Sequence, residues 1–274
     1  MYENFFRMTR RPFENFGDES AYYPSEIHQT AILKLRYAIE ARRAAVAICG
    51  DSGIGKTMLV DLLAKQLPDE LSPVTRIVFP RLDGDQLLGY LTDKVTRTRG
   101  DAAEPPRLTL ARLESFLEEN TASGKHAIVI VDEAHLLDSN TQLETLRLLL
   151  NLTGKRAEAE AALTLVLVGQ SILLSLIEQN ASLDERVSEK CLLKRFSAEQ
   201  SAAYVQHRLK SVGCELSKVF AIDAVDRLHA RSQGIPRRLN RLADIALMVA
   251  FAEEASRVTA EHIEGVHQEL VATP

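Results

Sequence analysis

Apolar residues recur along this chain in two rhythms, and the place where one rhythm gives way to the other divides it. From residue 44 to about 194, short runs that are apolar or rich in β-forming residues alternate with stretches in which apolar side chains return every three to four positions. The runs cover 44–49, 74–79, 127–131, 163–168 and a shorter 190–193. An apolar run without polar alternation predicts a strand covered on both faces, as in a parallel sheet. The intervening stretches predict helices over 58–67 (ended by Pro68), 83–96, 108–121 and 139–153, with a charged, Ala-rich connection over 155–162. Ahead of them, Ile27, Ala31, Leu35, Ala38 and Ile39 share one face of a helix predicted over 27–43. Past residue 195 only the helical rhythm remains. Ser197 with Gln200 reads as a capping box for a helix reaching Val212, and further helices are predicted over 221–232, 236–254 and 259–271. Strand–helix alternation followed by helices alone predicts an α/β domain with a parallel sheet, then a small all-helical domain. The expected divisions are an N-terminal segment and helix (1–43), an α/β core (44–194) and a helical domain (195–274).

Composition narrows this little. Of 274 residues, 46% are hydrophobic and 26% charged, ordinary for a water-soluble globular chain. Trp is absent and aromatics are only 5%, so the cores must be mostly aliphatic. A net charge of −5 argues against a generally basic nucleic-acid binder but leaves room for a local basic face. No apolar stretch is long enough to span a membrane, and residues 1–11 lack the apolar centre of a signal peptide. Cys49, Cys191 and Cys214 show neither C-x-x-C nor His/Cys metal spacing. They read as reduced structural thiols of a cytoplasmic protein.

The first candidate chemistry sits where the first buried run ends. Gly50-Asp51-Ser52-Gly53-Ile54-Gly55-Lys56-Thr57 fits G-x-x-x-x-G-K-[ST], between a predicted strand and a predicted helix. Glycines let backbone N–H groups converge on an anion, and the helix N-terminus adds its dipole. Lys56 is placed to neutralise β- and γ-phosphate charge, and Thr57 to ligate magnesium. With Met58 beside them, these nine residues form the candidate nucleotide-binding set. The aromatics Phe13, Tyr22 and Tyr23 have two readings, core packing or contact with an adenine.

The second lies at the end of the run 127–131, where two acids follow directly: Asp132 and Glu133. At a strand tip, paired with a phosphate loop, Asp132 would hold magnesium and Glu133 would activate an attacking water. The run 163–168 ends in Gly169 and Gln170, and Gln170 reads either as a polar strand tip touching the γ-phosphate or the attacking water, or as a plain loop glutamine. In the helical part, Gly234-Ile235-Pro236-Arg237-Arg238 sets Pro at a first helical turn. Its arginines read either as a solvated face or as a phosphate contact through Arg237.

The phosphate loop, the Asp132-Glu133 strand end, the Gln170 tip, Arg186 before the last strand and Gly234-Ile235-Pro236-Arg237 stand in the order found in AAA+ ATPases, which the chain resembles throughout. Within that superfamily it is most similar to the ATPase domain of the general secretion pathway protein A (ExeA) family. The similarity extends to Met1-Tyr2-Glu3-Asn4-Phe5-Phe6, Pro12-Phe13, Tyr23-Pro24-Ser25 with His28, and Val168-Gly169-Gln170. The resemblance implies that Gly50 to Thr57 and Asp132-Glu133 are the Walker A and B motifs. It makes Gln170 sensor 1, Arg237 sensor 2 and Arg186 an arginine finger acting on a neighbouring copy, with Glu185 as its candidate restraint. Mg-ATP would be the ligand, held between the α/β core and the helical lid, with the 1–43 segment covering the pocket. A homo-oligomeric ring and a protein client follow from the same resemblance. Related transposition ATPases share these features, and together with Arg7, Arg10, Arg11, Arg231, Arg237, Arg238 and Arg241 they keep duplex DNA open as a partner. A slow nucleotide-dependent switch is the third reading.

Overall fold

A computed structural model of the chain describes residues 1–14, 22–78, 82–101, 104–137, 140–152 and 161–272. The strand end expected at Phe79, the helix start at Ser139 and most of the charged connection after Lys155 lie outside the described residues. The chain forms two units. One comprises Ile27–Gly50 and Lys56–Leu193; the other comprises Met1–Glu26, Asp51–Gly55 and Lys194–Pro274.

In chain order the first element is the short helix α1 (Tyr2–Phe5), part of the second unit. Helix α2 (Glu26–Glu40) leads into the first unit and buries the predicted face of Ala31, Leu35, Ala38 and Ile39. The strands are β1 (Ala45–Gly50), β2 (Val74–Ile77), β3 (Ala127–Val131), β4 (Leu163–Gly169) and β5 (Val187–Leu193). They make one sheet in the order β2-β3-β4-β1-β5, and every pairing is parallel. Helices α3 (Lys56–Gln66), α4 (Gly84–Thr96), α5 (Pro106–Ala122), α6 (Asn140–Leu149), α7 (Ile172–Gln179) and α8 (Ala181–Asp184) supply the connections. The three central strands β1, β3 and β4 are buried at every position, which is why they read as unbroken apolar runs. The register sets Cys49 of β1 beside Gly169 of β4, and Val131 of β3 beside Leu167 of β4. The carboxyl ends of β1, β4 and β3 therefore lie side by side, where ligands of open α/β sheets bind.

The edge strand β5 begins three residues earlier than expected. Ser188, Glu189 and Lys190 carry it as an outer strand with a polar face, and Glu189 meets Lys34 of α2 at 3.6 Å. Charged residues on an edge strand guard against pairing with another chain, and they hide the strand from a search for apolar runs.

His126, fully buried at the start of β3, makes the acid stability of this unit predictable. Thr164 donates its hydroxyl to the Arg43 carbonyl at 2.6 Å, so it accepts the Nε2 proton of His126 at 2.8 Å. Nδ1 is left as a bare buried lone pair with no partner among the described residues. Burial, assisted by the nearby charge of Arg42, pushes the imidazole down to about 4. The unfolded chain then binds this proton more readily than the folded one, and stability falls as pH drops through the interval between about 6.5 and 4. Between pH 7 and pH 5 the loss from this group is about 2 kcal/mol. Urea titrations of wild type and His126→Gln at both pH values should show a smaller loss in the variant. An equal loss would remove His126 as the cause.

The second unit is built on α9 (Ala198–Lys210), α10 (Leu216–Val219), α11 (Ile222–Ser232), α12 (Pro236–Ala252) and α13 (Ala260–Ala272). Ser197 caps α9, with its side chain and that of Gln200 exchanging bonds with each other's backbone as the sequence predicts. The N-terminal residues are part of its core. Tyr2, Phe6, Met8 and Phe13 are buried among Phe196, Val205, Phe220, Leu239 and Leu247. Tyr2 donates to Asp244, Thr9 N–H to the Val212 carbonyl at 3.1 Å, and buried Arg208 to the carbonyls of Pro12 at 2.6 Å and Glu14 at 2.7 Å. Phe13 meets Phe220 edge-on, and Tyr23 packs likewise on Phe196 and Tyr204, so core packing is the reading realised for both. The expected 1–43 segment is thus divided at Glu26, its first part in this unit and the rest in the other.

Among the described residues no helix is long and apolar enough to cross a membrane. All three cysteines are buried and free. Burial pushes the Cys49 thiol up to about 12, which makes it an inert packing group.

Candidate nucleotide site

The sheet unit carries Gly50, Lys56, Thr57, Asp132, Glu133 and Gln170 of the expected site residues. Strand β1 ends at Gly50, and α3 starts at Lys56. The Lys56 side chain is buried, and its Nζ donates to the Gly50 carbonyl at 2.8 Å, spanning the mouth of the loop. One residue on, Thr57 donates its hydroxyl to Asp132 Oδ2 at 3.0 Å. Asp132 follows the last residue of β3; its N–H is held by the Ile77 carbonyl of β2 at 2.8 Å, and its Oδ1 accepts the Glu133 N–H at 2.9 Å. Met58 is partly exposed on the first turn of α3.

Glu133 has a left-handed backbone, φ 53°, and caps a short 3-10 turn, 134–136. A non-glycine residue held there is strained. The turn is wedged from below: a Cβ on Gly169 would stand 3.1 Å from the His135 nitrogen and 2.9 Å from a Leu173 methyl. The small residue at the β4 tip thus lets the turn after Glu133 lie against it. The Glu133 carboxylate is half exposed, 3.3 Å from His135 Nδ1. Gln170, at the same tip, is exposed, and its carbonyl accepts from Leu173 N–H.

Two side chains here escape a reading of the sequence. Arg76 of β2 donates to Asp132 Oδ2 and, through its other terminal nitrogen, to Asp61 Oδ1 of α3 at 2.7 Å. The signal for Arg76 is a cation inside a β-rich run, but its partner depends on β2 lying next to β3. Asp61 stands one turn after Thr57 on α3 and gives no signal of its own.

Arg186 lies elsewhere in this unit, between α8 and β5. It donates to Asn151 Oδ1 and to the Ser182 carbonyl at 3.4 Å. The expected restraint by Glu185 gives way to Asn151, which the turn after α6 brings alongside.

The middle of the phosphate loop belongs to the helical unit. The Arg237 N–H, in the first turn of α12, donates to the Gly53 carbonyl at 3.1 Å. Gly53 has φ +80°, and a Cβ there would stand 2.7 Å from that of Arg237, so only glycine permits the approach. Gly234 is as constrained: at φ +69°, a Cβ would strike the Phe196 carbonyl oxygen at 2.1 Å. Asp51 is paired with Arg195 at 2.6 Å, a partner that the sequence hides because Arg195 stands in an irregular stretch just before α9. The Arg237 side chain is exposed.

The donor set suits a magnesium-bound phosphate chain. Positive φ at Gly53 and Gly55 turns the loop in the way a phosphate-binding nest requires. Thr57 and Asp132 offer hard oxygen donors 3.0 Å apart. Among the described residues no group of three or more His, Cys, Asp or Glu side chains is arranged to hold a metal. An ion at Thr57 and Asp132 would complete its shell with phosphate and water, as magnesium commonly does.

Comparison with known proteins gives the family and the fold. The AAA domain model matches residues 39–177. General secretion pathway protein A of Aeromonas hydrophila is 33% identical over 261 residues, covering 94% of this chain and 46% of that protein, so the chain spans less than half the length of this relative. Among solved structures, the Aeropyrum pernix ORC2 protein in its ADPNP-ADP complexes superposes with a TM-score of 0.69 at 16% identity, covering 97% of this chain and 72% of that one. Drosophila ORC bound to DNA gives 0.67 at 18%, with 97% and 67% covered. The Thermotoga maritima RuvB Holliday junction branch migration motor gives 0.57 at 18%, with 94% and 73% covered. At these identities the structures establish the fold alone. The phosphate-loop fold and the match over half of the sequence together place the chain in the AAA domain family, as an AAA+ ATPase resembling general secretion pathway protein A.

Proposed function

We propose that the chain binds Mg-ATP at the phosphate loop and hydrolyses it to drive a conformational change or assembly step. One observation carries this reading: the Thr57 hydroxyl meets the strand-tip carboxylate of Asp132, with Lys56 at the loop and Glu133 next along the chain. In this reading the amides of residues 50–57 and the start of α3 receive the β- and γ-phosphates, and Lys56 neutralises their charge. Glu133, half exposed and so reachable by water, takes the proton of the attacking water. Magnesium, held by Thr57 and Asp132, would supply the remaining positive charge on the phosphate oxygens. Gln170 and Arg237 are the proposed γ-phosphate contacts, and Arg186 the proposed finger in a homo-oligomeric ring.

For the biological role we propose a secretion-type ATP-driven module in the cytoplasm. Its support is the 33% identity spread over 94% of the chain.

Lys56→Ala tests the nucleotide reading. Removing a buried cation from a phosphate site should weaken ATP binding by about a hundredfold or more, measured by anisotropy of a fluorescent ATP analogue. Binding at wild-type affinity would overturn the site. The role is tested by adding duplex DNA to the turnover assay. A rate unaffected by DNA is expected, and strong stimulation would replace the secretion role with a DNA-associated one.

A further inference from the structure

We propose that Arg76 is a built-in counter-ion for Asp132, standing in for the divalent ion when it is absent and turning to Asp61 when the ion arrives. The inference rests on the reading of Asp132 as the metal-side carboxylate.

The backbone makes the position. In β2, Thr75 and Ile77 are buried and Val74 and Arg76 lie on the other, half-buried face. The register sets Arg76 beside Ile130, one strand over and just short of Asp132. From there its guanidinium forks onto two carboxylates, Asp132 at the strand tip and Asp61 on α3. These acids differ. The Asp132 side chain is 6% exposed and that of Asp61 47%. A carboxylate as buried as Asp132 needs a counter-charge, whereas Asp61 has water as an alternative.

One oxygen of the Asp132 carboxylate, the one that faces Thr57, already carries two donors. Oδ1 accepts the Glu133 N–H, and Oδ2 accepts both Thr57 and Arg76. A divalent cation that takes Oδ2 beside the Thr57 oxygen must displace a donor there, and Coulomb repulsion singles out the charged one. Asp61 keeps a place for the displaced guanidinium without a change of helix or strand. The Arg76 pose is also not fully satisfied: its Nε is buried without a hydrogen-bond partner among the described residues, so a shift towards Asp61 gives up no bond at that atom.

The consequence is a shallow dependence of nucleotide affinity on the divalent ion, because the Arg76 charge already offsets the acids facing the phosphates. Without that charge, Asp132 and Asp61 repel metal-free nucleotide and attract the metal.

The test is fluorescent ADP binding, by anisotropy, in Mg²⁺ and in EDTA. The dissociation constant in EDTA divided by that in Mg²⁺ should rise about tenfold or more in Arg76→Gln, and Arg76→Lys should restore most of the wild-type ratio. Asp61→Asn, at an exposed position, should raise the Mg²⁺ concentration needed for half-maximal tightening several-fold, about the factor expected for losing one partly exposed charge partner. It keeps the test open should Arg76→Gln fold poorly. An unchanged ratio in Arg76→Gln together with an unchanged Mg²⁺ requirement in Asp61→Asn would overturn the proposal. Asp132→Asn separates the two levels. If it abolishes the Mg²⁺ effect while the Arg76 and Asp61 variants behave as wild type, only the counter-ion role fails. If the Mg²⁺ effect survives in Asp132→Asn, the underlying site reading fails as well.

Discussion

Glu133→Gln should bind ATP as wild type does and turn it over about a hundred to ten thousand times more slowly, the range for loss of a positioned general base. The geometry behind this expectation is local. Glu133 has a left-handed backbone, and the turn it caps lies close against Gly169. Glutamine preserves volume, the contact with the His135 turn and the backbone bond to Asp132; it lacks only the basic oxygen. Binding is read by anisotropy and turnover by phosphate release on the same preparation. Hydrolysis at the wild-type rate would remove Glu133 as the base while leaving the phosphate loop reading standing.

Arg186→Ala should cost about a thousandfold or more in turnover, again with ATP binding retained, if Arg186 acts across a subunit boundary. Within a single chain this arginine is occupied by Asn151 and the Ser182 carbonyl. It must leave both to reach a neighbour's phosphates. If the neighbour completes the site, turnover per subunit should also rise with protein concentration as copies assemble. Mixing Arg186→Ala with Lys56→Ala should restore part of the activity, since the second variant still offers Arg186 to an intact site. A mixture no more active than its components, or a rate per subunit flat with concentration, would place catalysis within one chain. Of the hydrogen bonds that alanine removes, the one to Asn151 is exposed and the part-buried one to Ser182 is long at 3.4 Å, so the melting temperature should move little.

What can be read from the sequence is what is local in it. Gly50 to Thr57 is a continuous motif, and the Asp132-Glu133 pair announces itself by ending an apolar run. The central strands are legible because burial on both faces leaves only one kind of residue. Arg76, Asp61 and Arg195 are not, because each matters through a neighbour far along the chain: Arg76 through β3, Asp61 through β2, Arg195 through the phosphate loop. Helices α7 and α8 are also hidden. Ile172 to Ile177 is nearly continuous in apolar residues, and so short a run has no period to distinguish helix from strand. Phe6 and Phe13 lie in a stretch with no period at all, and only the fold assigns them to the helical core.

That assignment bears on how the chain reaches its native state. The bond from Tyr2 to Asp244 joins residues 242 apart, and those from Arg208 to Pro12 and Glu14 join residues 196 and 194 apart. Contacts of such sequence separation form late and slowly. On the ribosome, Phe6, Met8 and Phe13 emerge long before the α9 to α13 surfaces that cover them. Until then they form an uncovered sticky segment, while the sheet unit can already be consolidating. Chaperone dependence and aggregation of truncated chains should therefore concentrate in the first fourteen residues, and a nascent chain halted before α9 should be far more prone to aggregate than the completed one.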